Sequence, residues 1–292
     1  MNPSLRLGAA VALATASFLA FAANRPVNIV AAENFYGDIA QQLGGPHVHV
    51  TSILSNPDQD PHLFEASAST AKALSAARLV IYNGVGYDSW MGKLLAAAKA
   101  SGRKTIVAGR LLHKNPGENP HLWYDPATMP AVAAAITAEL KQADPAHAAD
   151  YQRRLKDLLA SLQPLRSEIQ AIRARYAGTP VTATEPVFGY MADALGLKMR
   201  NARFQLAVMN DTEPSAHDIA EFENDLKTRK VGILFYNSQA TDSSARRVER
   251  IAKQHGVPIV GVTETEPPGK HYQQWMLDQL AATESALSGA RQ

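Results

Sequence analysis

The stretch 145-PAHAADYQRRLKDLLASLQPLRSEIQAIRARY-176 divides this chain in two. Leu155, Leu158, Leu159, Leu162, Leu165, Ile169 and Ile172 recur at helical spacing, with Arg, Lys, Asp and Glu between them. No glycine interrupts the run before Gly178. The pattern predicts one long helix, bent at Pro164, whose apolar stripe is too short for a coiled coil. On either side, short apolar runs alternate with amphipathic segments.

Upstream, strands are predicted at Val27–Ala32, His47–Val50, Leu79–Tyr82 and Thr105–Ala108. Between them fall helices at Phe35–Leu43, from Ser67 to about Ala77, and at Ser89–Ala100; a further helix follows at Met129–Leu140. Downstream, strands at Val181–Thr184, Val231–Phe235 and Val257–Val262 alternate with helices. These run from Val187 to Leu195, from a Thr212 cap through Pro214–Thr228, and over Ser243–Gln254 and Tyr272–Leu287. Strand–helix alternation implies an α/β fold of mainly parallel sheets flanked by helices. We therefore expect two α/β lobes, 23–144 and 179–292, joined by the long helix of 145–178.

With 292 residues and 46% apolar content, the chain has ample material for a core. A net charge of +2 points to neither nucleic acid nor an anionic membrane. Cysteine is absent, which removes thiolate metal sites, thiol nucleophiles and a lipid-bearing cysteine. Residues 1–22 read as a signal peptide: Arg6 is the positive charge, Leu7–Ala20 the apolar run, and Ala20-Phe21-Ala22 the cleavage signal. A monomeric periplasmic protein, not lipid-anchored, is the expectation.

Open α/β sheets bind ligands beyond the C-terminal ends of their strands. Four polar residues stand out there or in the loops between: His62, His121, Glu185 and Glu264. The histidines occur in similar settings, Pro61-His62-Leu63-Phe64 and Pro120-His121-Leu122-Trp123, on separate loops of the first half. Glu185 and Glu264 follow strands of the second half, and Glu266 competes with Glu264 from the same loop. Two imidazoles with two carboxylates make a borderline-to-hard donor set that suits Mn²⁺, Fe²⁺ or Zn²⁺ and disfavours Cu⁺. Of the other histidines, His47 and His49 alternate on a predicted strand, as a ligand pair or as packing. His147, His217 and His255 read as surface residues of helices. No catalytic residue is expected: the chain has no G-x-S-x-G elbow, no H-E-x-x-H, no P-loop and no G-x-G-x-x-G after a strand. A metallohydrolase, or a receptor for an organic solute with structural histidines, remains the alternative.

Five stretches carry a family resemblance. They are Asp60-Pro61-His62, Asn83-Gly84-Val85-Gly86-Tyr87-Asp88-Ser89-Trp90, Asn119 to Pro126, Glu185-Pro186-Val187-Phe188-Gly189-Tyr190 and Glu213-Pro214-Ser215. Together they make the chain resemble, from about Val27 to the last helix, the zinc/manganese periplasmic metal-binding proteins that feed ABC importers. The resemblance implies two lobes joined by a rigid helix, one metal between them, four protein ligands, and a permease partner in the inner membrane. His62 and His121 match the family's first two ligands. Glu185 takes the third place, where zinc members usually carry His and many manganese members Glu. Glu264, in Thr263-Glu264-Thr265, takes a place usually held by Asp, which leaves Glu266 as its rival. The long histidine-rich loop common in zinc members is absent. Mn²⁺ is favoured on ligand hardness, although Zn²⁺ binds more tightly to almost any such donor set.

Overall fold

The computed structural model describes residues 26–56, 64, 66–239 and 243–290. The N-terminal half runs β1 (Val27–Glu33), α1 (Asn34–Gly44), β2 (Val48–Leu54), α2 (Ala68–Ala76), β3 (Leu79–Tyr82), α3 (Trp90–Ala97), β4 (Lys104–Val107), the single turn α4 (Ala108–Leu111) and α5 (Thr128–Ala143). Two consecutive helices follow, α6 (Ala148–Ser161) and α7 (Gln163–Tyr176). The C-terminal half runs β5 (Pro180–Ala183), α8 (Gly189–Ala194), β6 (Lys198–Met199), α9 (Ala202–Met209), α10 (Ala216–Lys227), β7 (Leu234–Asn237), α11 (Ser243–Gln254), β8 (Ile259–Val262) and α12 (Tyr272–Gly289).

Each half builds one four-stranded sheet in which every pair is parallel. The orders are β2-β1-β3-β4 and β6-β5-β7-β8. The two halves thus repeat one strand order, and in each the order reverses beside the first strand. Crevices at such reversals are where open α/β sheets hold ligands.

Alternate residues of the strands serve different cores. Ile29 and Ala31 of β1, with Leu79 and Ile81 of β3, face a large cluster. That cluster also takes Val181 and Ala183 of β5, Phe235 of β7, and Val260 and Val262 of β8. Val30, Ala32 and Val80 face a smaller cluster under α2 and α3. Leu234 faces another, beneath α9, α10 and α11. The inner faces of both sheets therefore share a single core, completed by α1, α5, α6, α7 and α12. Trp123 and Trp275 lie fully buried within it, and burying a large side chain stabilises the fold by roughly 1.5–3 kcal/mol.

The linking segment is nearly continuous, broken only at Leu162, and Pro164 sits in the first turn of α7. Proline has no N–H to bond the carbonyl one turn back, and the stretch expected as one long helix is two, parted at Leu162. Several local readings shift. His47 belongs to a 3₁₀ turn, Gly45–His47, so β2 starts at Val48 and His47 does not share a strand face with His49. His147 likewise ends a 3₁₀ turn, Pro145–His147, ahead of α6. Ser215, not Thr212, caps α10, its hydroxyl accepting from the Asp218 N–H at 3.2 Å. The strand of the Val231 region begins only at Leu234. The two-residue β6 and α9 lack a periodicity long enough to announce them.

A buried acidic pair closes the end of the first sheet. Glu33 ends β1 fully buried, and the Asp88 carboxylate accepts from the N–H groups of Asn83 (2.5 Å) and Gly84 (2.9 Å). Burial, and then the neighbouring charge of Asp88, push the Glu33 carboxyl well above its ordinary value. The folded chain keeps this proton at pH values where the unfolded chain, titrating near ~4.3, has lost it. Stability from this group is thus fully present below that value and falls as pH rises, by at most ~1.4 kcal/mol per unit. Glu33→Gln removes the proton exchange while keeping shape. Its denaturation midpoint, measured without metal, should gain on the wild type between pH 5 and pH 8; an equal pH dependence in both proteins would refute this account.

Candidate metal centre

The polar residues of the cleft are set by the C-terminal ends of strands from both sheets. His121 lies in the loop before α5, fully buried. Its loop is held to the end of β3 by Asn83, whose Nδ2 donates to the Pro120 carbonyl (2.7 Å) while its Oδ1 accepts from the Tyr36 hydroxyl (2.8 Å). Gly84 follows with φ 77°, a left-handed turn that suits glycine.

Asn119 orients the imidazole. Its Nδ2 donates to the Pro186 carbonyl at 2.7 Å, which turns its Oδ1 toward His121. That oxygen accepts from the His121 N–H at 3.1 Å and sits 2.6 Å from Nδ1. An amide oxygen only accepts, so Nδ1 carries the proton and the Nε2 lone pair is free for an electrophile. Metal-bound histidines have this arrangement of a fixed outer nitrogen. Gly189 makes it sterically possible: a Cβ there would stand 2.8 Å from the Asn119 amide nitrogen.

His121 Nε2 has no hydrogen-bond partner among the described residues and faces Glu264 Oε2 at 3.6 Å, with both side chains buried. Glu264 follows β8, and its N–H donates to Gln239 Oε1 at 2.5 Å. Its other oxygen, Oε1, accepts from Asn237 Nδ2 at 2.7 Å; the same amide donates to Glu185 Oε1 at 3.1 Å. Glu185 follows β5 and is buried. Its carboxylate, that of Glu264 and the His121 imidazole do not all come within 4.8 Å of one another. His62 lies outside the described residues.

Glu266 is turned elsewhere. Its backbone pairs with the Asn34 side chain at 2.9 and 2.7 Å, and burial, then the charge of Asp38, push its carboxyl up to about 9. It faces α1, whereas Glu264 faces His121.

Several residues escaped the reading of the sequence, two of them closest to the proposed ligands. Asn237, the last residue of β7, bridges both carboxylates; the strand was expected to end at Phe235, which hid Asn237 from a search of strand ends. Tyr87 is buried with its ring 6.1 Å from the His121 ring, and burial, followed by the charge of Glu264, holds its phenol well above its ordinary value. It stood inside a quoted motif without a role.

Hydrogen bonds between the halves surround the site. Besides Asn119–Pro186, the Tyr190 hydroxyl donates to the Asn119 carbonyl (2.8 Å), that of Tyr124 to Thr263 (2.9 Å), and that of Tyr272 to Trp123 (2.7 Å).

The architecture is that of two-lobed periplasmic metal-binding proteins. The solved structure of the periplasmic zinc-binding protein TroA from Treponema pallidum superposes with a TM-score of 0.74 at 20% identity, covering 90% of this chain and 99% of that one. The chain belongs to the family described as ZnuA, zinc-uptake complex component A, periplasmic, whose model matches residues 29–286. This is a family of uptake-complex components rather than of enzymes. The manganese-binding lipoprotein MntA of Bacillus subtilis is 26% identical over 261 residues, 85% of this chain and 83% of that protein. The iron ABC transporter substrate-binding lipoprotein MtsA of Streptococcus pyogenes is 23% identical over 279 residues, 87% and 88% respectively. Among the described residues, no helix is long and apolar enough to cross a membrane.

The bridging amide gives a test of the site without metal. Asn237→Ala deprives two buried carboxylates of a shared donor, which should cost about 1–3 kcal/mol in the metal-free protein. Thermal melts should show the loss, with part of it recovered by saturating Mn²⁺; an unchanged melting temperature would show that the Asn237 amide does not stabilise the pair.

Proposed function

We propose that the chain captures a divalent transition metal between its lobes and delivers it to an ABC-type permease of the inner membrane. The metal is a substrate, held by His62, His121, Glu185 and Glu264. The observation that carries this reading is the buried His121 Nε2 facing Glu264 Oε2 across 3.6 Å, from opposite halves of the chain. Two ligands at ~2.0–2.1 Å from one tetrahedral ion stand roughly 3.4 Å apart, so the gap suits a cation. Two carboxylates would offset its charge where water is excluded.

The donor set favours Mn²⁺ or Fe²⁺ on hardness, with Zn²⁺ the stronger competitor. Relatives named for manganese and for iron, and a solved neighbour named for zinc, fit one scaffold serving several cations. We take residues 1–22 as a cleaved signal peptide, 23–144 and 179–292 as the lobes, 145–178 as the link, and the mature protein as a periplasmic monomer. Relatives named lipoproteins differ in one respect: this chain has no cysteine to carry a lipid, which supports a protein free in the periplasm.

Chelator-treated protein should bind one Mn²⁺ per chain in a titration, with Zn²⁺ displacing it. His121→Ala should weaken binding by roughly 100-fold or more, the upper range seen even for outer partners of a ligand. Absence of stoichiometric metal, or unchanged affinity in His121→Ala, would sink the proposal.

The hydrogen bonds that stitch the halves argue for release by local loop shifts. X-ray scattering with and without Mn²⁺ should give the same radius of gyration, and a marked compaction on loading would point to a hinge instead.

A further inference from the structure

A second group of metal-ligating side chains lies at the opposite end of the first sheet. Strands β1 to β4 are parallel, so their C-terminal ends face the cleft and the start of β2 faces away. His47 sits in the turn just before β2, and Asp144 and His147 sit at the junction of α5 and α6. Helix α1 packs against both α5 and α6, which brings these two turns together.

The geometry is close. The His47 and His147 rings stack with centroids 3.7 Å apart and planes at 21°. Asp144 Oδ2 lies 2.6 Å from His147 Nδ1 and accepts from the Tyr151 hydroxyl at 2.6 Å. One ligand atom from each of His47, Asp144 and His147 lies within 4.8 Å of the other two, and among the described residues no other set of three such side chains meets this condition. All three are partly exposed, so an ion from solvent can reach them. Desolvation opposes the charge on Asp144. The hydrogen bonds from Tyr151 and His147 outweigh it and hold the carboxyl below its ordinary value, so it is anionic at neutral pH.

We propose that His47, Asp144 and His147 form a second divalent-cation site, separate from the cleft. Two imidazoles and one carboxylate with open positions for water suit Zn²⁺ and similar borderline cations better than Mn²⁺. An ion that takes Nδ1 of His147 displaces the proton there to Nε2 or to solvent, and the stacked rings must splay so that their lone pairs converge. Asp150, whose Oδ2 lies 3.3 Å from His47 Nε2, is engaged by Arg153 and Arg154, and loses His47 when the ion enters. The ion would fasten the first linking helix to the N-terminal lobe. Partial exposure and water ligands make this site weaker than the cleft.

Zn²⁺ titrated by calorimetry into chelator-treated full chain tests the proposal. In His121→Ala, where the cleft is weakened, a binding event that depends on His47 and His147 should persist. Adding His147→Gln or His47→Gln should weaken that event by at least roughly tenfold, the loss seen even for outer partners of a ligand. His47→Gln leaves the His147–Asp144 bond in place, so unaltered circular dichroism separates lost ligation from misfolding. His217→Gln, on the exposed face of α10, should change nothing. No zinc binding in the His121→Ala background, or binding indifferent to both His47 and His147, overturns the second site. Neither result bears on metal capture in the cleft, which is read with Mn²⁺ from the wild type and from the loss of affinity in His121→Ala.

Discussion

Two carboxylates enclosed in one cleft repel each other and resist desolvation, so each needs a counter-group. The Asn237 amide supplies one donor that reaches both Glu185 and Glu264. The imidazole of His121 faces the second oxygen of Glu264 across a gap suited to a cation. The surrounding structure maintains this poised state. Asn119 fixes the tautomer of His121, Asn83 fixes its loop, and Gln239 fixes the Glu264 turn. Most of these groups are neutral amides, which donate and accept without adding charge to a cleft already loaded with it.

That arrangement depends on the lobes holding still. The inner faces of both sheets pack into one core with α1, α5, α6, α7 and α12, so the halves do not float on a flexible tether. The hydrogen bonds between the halves run from the side chains of Asn119, Tyr124, Tyr190 and Tyr272. A dense apolar interior resists continuous deformation, which leaves the surface loops as the parts free to move. The cluster of His47, Asp144 and His147 lies on the far side of the first lobe, at the root of the linking helix. Binding there would stiffen the same joint without competing for the cleft.

Much of this was legible in the chain. Short apolar runs marked five of the eight strands closely, because buried parallel strands leave little room for anything but Val, Ile, Leu and Ala. Pro164 marked the neighbourhood of the break at Leu162. The strand-end rule singled out Glu185 and Glu264, which share the Asn237 amide, and the repeated Pro-His-Leu-aromatic setting singled out His62, outside the described residues, and His121. What failed to show were features with no periodicity of their own. The two-residue β6 is one, and another is Asn237, which became part of the site when β7 ran two residues past Phe235.

By itself, then, the sequence determined the alternation of strands and helices and the residue types available at strand ends. These follow from local pattern and from which side chains tolerate burial. Which of those residues meet was decided by tertiary structure. Glu264 and Glu266 stand two residues apart in one loop, and nothing local distinguishes them. Packing against α1 turns Glu266 toward Asp38, and the register of β8 turns Glu264 toward His121. Likewise His47 and His147, a hundred residues apart, come together only because α1, α5 and α6 pack side by side. Contacts distant in the chain are set by how whole elements pack, and no window of sequence contains that information.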